Sequence, residues 1–119
     1  MVRKQLLFVL QHPPLAGGLA RAGVDTALAY AAFDQAVSVL FSGAGVLQLA
    51  PGADTLRVGR RDLRRMIDSM PLYDIEQVFV DADALASYGL SAALPSFAER
   101  VDARTIRSLY QNCDHILSF

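Results

Sequence analysis

Asp81 and Asp83 stand at the end of an apolar run, Val78-Phe79-Val80, and open what reads as a helix. Paired carboxylates at the mouth of a sheet could hold Mg²⁺, yet neither a third carboxylate ligand nor a phosphoryl-accepting partner is evident. Helix capping is therefore the expected role of this pair. Cys113 is the single cysteine and the only candidate thiol nucleophile. It falls seven residues after Ile106, in line with Leu109 and Tyr110 on the apolar face of a helix, where cysteine behaves as a small hydrophobe. In Ser42-Gly43-Ala44-Gly45-Val46-Leu47-Gln48, two glycines follow a strand as they do in a dinucleotide loop, but Gln48 stands where the third glycine is required. The alternative for Gly43 and Gly45 is a turn that needs backbone freedom. His12, in a proline loop, could act as a base; no partner for it is visible, and a surface histidine is the plainer reading. Arg57, Arg60, Arg61, Arg64 and Arg65 form the one dense charge cluster, interrupted by Asp62. Guanidinium forks suit RNA phosphates or a partner's carboxylates, and a solvated helix face is the competing reading.

The elements that would carry these residues alternate short β-rich runs with helical patterns, which predicts an α/β fold with a parallel sheet covered by helices. Leu6 to Leu10 is expected as the first strand. A Pro/Gly loop leads to a helix in which Val24, Ala27, Leu28 and Ala31 share one face. Ala36 to Phe41 reads as the second strand, and a short apolar segment, VLQLA, stops at Pro51. Arg60 to Met70 should be helical, with Leu63, Met66, Ile67 and Met70 on the apolar face. Gln77 to Val80 is the third strand, and the helix after Asp81 should end at Gly89 in a left-handed cap. A weak strand is expected near Phe97 to Val101. Asp102 should cap a last helix through about Gln111, and His115 to Phe119 closes as a strand. No repeat or linker divides residues 1–119, so one domain is expected.

At 119 residues, 53% hydrophobic and only 19% charged, the chain has less charge than a small soluble domain needs for its surface. Part of that surface should meet a partner. A net charge of −1 and a pI near 6.0 supply no global attraction to nucleic acid or anionic membrane. No apolar stretch reaches transmembrane length, and Leu6 to Leu10 is too short for a signal peptide, so a cytoplasmic location is expected. One cysteine cannot form an internal disulfide or a cysteine-based zinc site, and the two histidines, His12 and His115, give no metal spacing. No metal and no cofactor are expected.

Three stretches, AAFDQAVSVLFSGAGVLQL, LYDIEQVFVDADALASYGL and DHILSF, carry a resemblance across essentially the whole chain. In that order they resemble the TusC/DsrF branch of the DsrE/DsrF family. The resemblance implies a flavodoxin-like three-layer α/β/α domain with a mostly parallel sheet of about five strands. It further implies a heterohexamer with two related small subunits, one TusB/DsrH-like and one TusD/DsrE-like. Such a complex passes persulfide sulfur to a downstream acceptor protein, toward 2-thiouridine at the tRNA wobble position or within dissimilatory sulfur oxidation. In the carrier subunits a cysteine follows the third strand where a helix begins, and matching on Gly89 sets Asp81 at that position. An aspartate cannot hold sulfane sulfur. The resemblance thus implies a non-catalytic subunit, with Asp81, Asp83, Gly43 and Gly45 available to a shared pocket. The alternative is persulfide transfer through Cys113. Direct contact with tRNA is left open.

Overall fold

The computed structural model describes residues 4–14, 18–50, 60–90 and 94–119, with the side chains of residues 60–62 outside the description. Five strands, β1 (Gln5–Leu10), β2 (Ala36–Phe41), β3 (Gln77–Asp81), β4 (Ala98–Val101) and β5 (His115–Ser118), form one sheet in the order β4-β3-β2-β1-β5. Every pairing is parallel, with Leu7 opposite Ser38, Ser38 opposite Gln77 and Asp81 opposite Val101. A parallel strand covered on both faces has no polar side to show, which explains why Leu6 to Leu10 is apolar and buried without interruption.

Among the described residues, four helices, α1 (Leu19–Ala32), α2 (Arg60–Asp68), α3 (Ala82–Ser87) and α4 (Ala103–Asn112), connect the strands. The first three crossovers step in one direction along the sheet, and the last returns from β4 to the far side of β1. Right-handed crossovers that reverse direction place their helices on opposite faces. Accordingly, residues of α1, α2 and α3 pack with Leu6, Phe8, Leu10, Val39 and Phe41 on one face. On the other face Ile106 and Leu109 of α4, with Cys113, cover Leu7, Val9, Leu40 and Phe79. This is the flavodoxin-like three-layer arrangement. Phe8 anchors the larger core between the rings of Tyr30 and Phe119, at centroid distances of 5.7 and 6.1 Å.

The expected boundaries hold with small shifts. The second helix ends at Asp68 rather than Met70, because a 3₁₀ turn at Met70–Tyr73 takes up Pro71. The segment read only as a short apolar run is a 3₁₀ helix, Gly43–Leu49. Gly89 has φ +68, while Gly89 N and Leu90 N donate to Ala86 O and Leu85 O, the paired bonds of a Schellman cap that ends α3. Asp102 accepts from Thr105 N at 2.8 Å and so caps α4.

Candidate functional site

Strands of a parallel sheet present their C-terminal ends to ligands, and three connections meet at that edge here. The first runs from β3 into α3. Asp81 is the last residue of β3 and the N-cap of α3, and its Oδ1 accepts from Asp83 N at 3.0 Å and Ala84 N at 3.3 Å. Asp83 is exposed in the first turn of the same helix. The two carboxylates do not converge on a metal: one is occupied by backbone, the other faces water. Among the described residues, no group of three or more His, Cys, Asp or Glu side chains could hold an ion.

The second connection is the 3₁₀ helix Gly43–Leu49, which packs against both β3 and α3 and so lies beside Asp81. Gly43 opens it at φ +54. Gly45 is pressed against the end of β1, where a Cβ would fall 1.8 Å from Leu10 O. Close approach of backbone to backbone, rather than a phosphate cradle, explains this glycine. Gln48 then reaches across to the third connection, the proline loop after β1. Its side chain is 3% exposed and donates through Nε2 to His12 O at 2.9 Å. Among the described residues, Gln48 Oε1 and His12 Nδ1 are buried with no hydrogen-bond partner. Sequence reasoning treated Gln48 only as a failed third glycine. The signal that could have found it was one amide inside the otherwise apolar VLQLA.

The arginine cluster divides. Arg57 lies outside the described residues, and Arg60 and Arg61 are placed on α2 by backbone alone. Arg64 is half-buried; its Nε pairs with Asp68 Oδ1 at 3.1 Å and its Nη1 donates to Leu49 O at 3.4 Å. That side chain fastens α2 to the end of the 3₁₀ helix. Arg65 is exposed.

Cys113 is at the other edge of the molecule. It ends α4 two residues before β5, whose first residue pairs with Leu6 near the start of β1, whereas Asp81 is the last residue of β3. Its Sγ donates to Tyr110 O at 3.5 Å, and it lines a cleft of about 220 Å³ with Gln5, Ser38, Gln77 and Asn112. The structure therefore brings Asp81, Asp83, Gly43 and Gly45 to one edge and leaves Cys113 at the opposite one.

The sequence profile of the DsrE/DsrF-like family matches residues 4–119. The Protein TusC homolog of Pseudomonas aeruginosa is 32% identical over 116 residues, covering 97% of this chain and 98% of its own. The Protein TusC homolog of Vibrio parahaemolyticus is 34% identical over the same shares. Protein TusC of Escherichia coli O127:H6 is 35% identical over 118 residues, 98% of this chain and 99% of its own. The crystal structure of the ychN protein from E. coli superposes with a TM-score of 0.82 at 12% identity, covering 99% of this chain and 100% of that one, which shows a shared fold.

Proposed function

The chain belongs to the DsrE/DsrF-like family, and from that premise we propose that it is the non-catalytic subunit of a heterohexameric sulfur-relay complex in the cytoplasm. Its partners are two related small subunits, TusB/DsrH-like and TusD/DsrE-like, the second bearing the carrier cysteine. The complex hands persulfide sulfur to a downstream acceptor protein and so toward 2-thiouridine at the tRNA wobble position. Service in dissimilatory sulfur oxidation is the alternative. The TusC name borne by relatives of this chain supports the first direction.

One observation carries the non-catalytic reading: the Asp81 Oδ1 is held by two backbone N–H groups at the start of α3. The resemblance matches Asp81 to the position where the family's carriers have a cysteine. A carrier needs a thiolate there, stabilised by the same helix start. Asp81 keeps the helix start and omits the nucleophile. The position of Cys113, in a different cleft at the opposite edge of the sheet, supports assigning the carrier role elsewhere. Asp83 and the Gly43 to Gly45 turn then wall a pocket shared with the carrier's loop. Of the arginine cluster on α2, Arg65 is exposed and is the described residue available to RNA phosphates or to a partner's carboxylates.

Native mass spectrometry on tagged protein purified gently from its own cells tests this. Two other small subunits in equal amounts are expected. A lone monomer, or a homo-oligomer carrying a sulfur adduct, would overturn the assignment.

A further inference from the structure

Ser38 pairs with Gln77 in parallel register, so the approaches to β2 and β3 lie side by side at the N-terminal edge of the sheet. The two approaches are built alike. α1 ends at Ala32 and the 3₁₀ turn ends at Tyr73, and each is followed by an aspartate in the left-handed region, Asp34 at φ 62 and Asp74 at φ 63. Just before these turns the chain exposes large apolar side chains: Phe33 is 79% and Leu72 is 85% accessible. Tyr30 and Tyr73 are exposed beside them in sequence, and the 3₁₀ turn packs against α1. Single apolar residues are ordinary on a surface, but four large ones on or next to two elements in contact mark an interaction site.

Between the two approaches runs an open groove of about 440 Å³, lined by Gln5, Ala36, Ser38, Asp74, Glu76 and Gln77. Along this edge the described ionisable groups are Lys4, Asp34, Asp74, Glu76, Asp114 and His115. Acid dominates locally although the whole chain carries only −1. A second copy meeting this edge through a two-fold axis would set acid against acid. A partner with a basic rim would not.

We propose that this edge seats a related subunit of the relay complex, one that places a lysine or arginine in the groove and apolar side chains against Phe33 and Leu72. The proposal rests on the sulfur-relay reading. Exposed charges orient such a contact and set its salt dependence, while the buried apolar side chains supply most of its strength.

The test compares tagged wild type with two double variants, Phe33→Ser with Leu72→Ser and Asp74→Lys with Glu76→Lys, each purified as the complex from its own cells. The first pair should weaken subunit association by about tenfold or more per side chain, as expected when an apolar side chain no longer leaves water. The second should weaken it and flatten or invert its dependence on salt. All four side chains are exposed, so the serine pair and Glu76→Lys should melt as wild type does, while Asp74→Lys, at φ 63, should lower the melt slightly without unfolding the chain. Should the serine pair nonetheless misfold, the lysine pair decides. Assembly by wild type and by both variants with the same salt dependence overturns this inference and leaves the relay reading standing. A wild type that emerges without partners overturns both.

Discussion

Removing the Asp81 carboxylate separates its structural work from any chemistry. In Asp81→Ala, Asp83 N and Ala84 N lose the acceptor they now share at 3.0 and 3.3 Å. Loss of an N-cap costs about 0.5–2 kcal/mol, and a half-buried site, where water replaces the acceptor incompletely, falls in the upper part of that range at about 1.5 kcal/mol. α3 should persist, because Ala84 and Leu85 remain buried and Gly89 still closes its far end. With a urea slope of about 1.5–2 kcal/mol/M, the unfolding midpoint should fall by about 0.7–1 M. Asp81→Asn should stay within about 0.5 kcal/mol of wild type, since asparagine caps as well as aspartate. Both variants, assembled with their partners well below their melting temperature, should pass sulfur at the wild-type rate. An unchanged midpoint for the alanine variant would refute the capping argument. A tenfold fall in sulfur transfer by the asparagine variant at undiminished stability would give the carboxylate a chemical role.

Gly45→Ala should destabilise by about 3 kcal/mol or more, because its Cβ meets main-chain atoms that cannot rotate away; a melt within a degree of wild type would contradict the packing at Leu10 O, 1.8 Å from that Cβ. Asp102 is held below its ordinary pKa of 3.8, first by hydrogen bonding from Thr105 and also by Arg104. A depressed carboxylate stabilises fully above its unfolded pKa and loses that contribution as pH falls through its folded one. The urea midpoints of wild type and Asp102→Ala should thus differ at pH 6 and converge below about pH 4, whereas a constant gap would assign the effect to something other than titration. Cys113→Ser should leave sulfur transfer by the assembled complex intact; its abolition with assembly preserved would move the relay onto this thiol. Arg61→Glu with Arg65→Glu should weaken tRNA binding by the complex and flatten its salt dependence, and unchanged binding would mark α2 as a solvated face.

What could be read in advance was what neighbouring residues decide. Leu6 to Leu10 and Ala36 to Phe41 declared themselves because a doubly covered parallel strand is apolar on both sides. Asp81, Asp102 and Gly89 act on backbone groups within four residues of themselves, and each took its expected place. Sheet order was not legible, since nothing in His115 to Ser118 says that it pairs with β1 rather than β4. The Gln48 contact spans 36 residues to His12, and that of Arg64 spans 15 to Leu49. Gln48 looked like a missing glycine because its partner belongs to another element, and the fastening role of Arg64 was hidden because Leu49, unlike its i+4 partner Asp68, lies outside α2. The edge aromatics were foreshadowed only by the low charge of the whole chain. Which of them stay outside depends on how α1 and the Met70–Tyr73 turn dock.

The placement of Asp81 and Cys113 limits what this chain can do with sulfur. A persulfide moves when a thiolate attacks its sulfur directly, so donor and acceptor must touch. β3 has five residues and spans about 16 Å, and Cys113 belongs to the start of the sheet while Asp81 belongs to its end. No handover can run between these two edges inside one subunit. At the other end, the Asp81 carboxylate occupies two N–H groups at the start of α3; on the proposed match to the carrier position, a carrier thiolate would use the same groups. The helix start is therefore retained for its shape and denied its charge-stabilising role toward a bound sulfur. On the proposed function, a subunit that keeps the scaffold while lacking the nucleophile contributes the turn at Gly43 to Gly45 and the exposed Asp83 beside another subunit's thiol, while the apolar edge at the opposite end of the sheet holds a separate subunit contact.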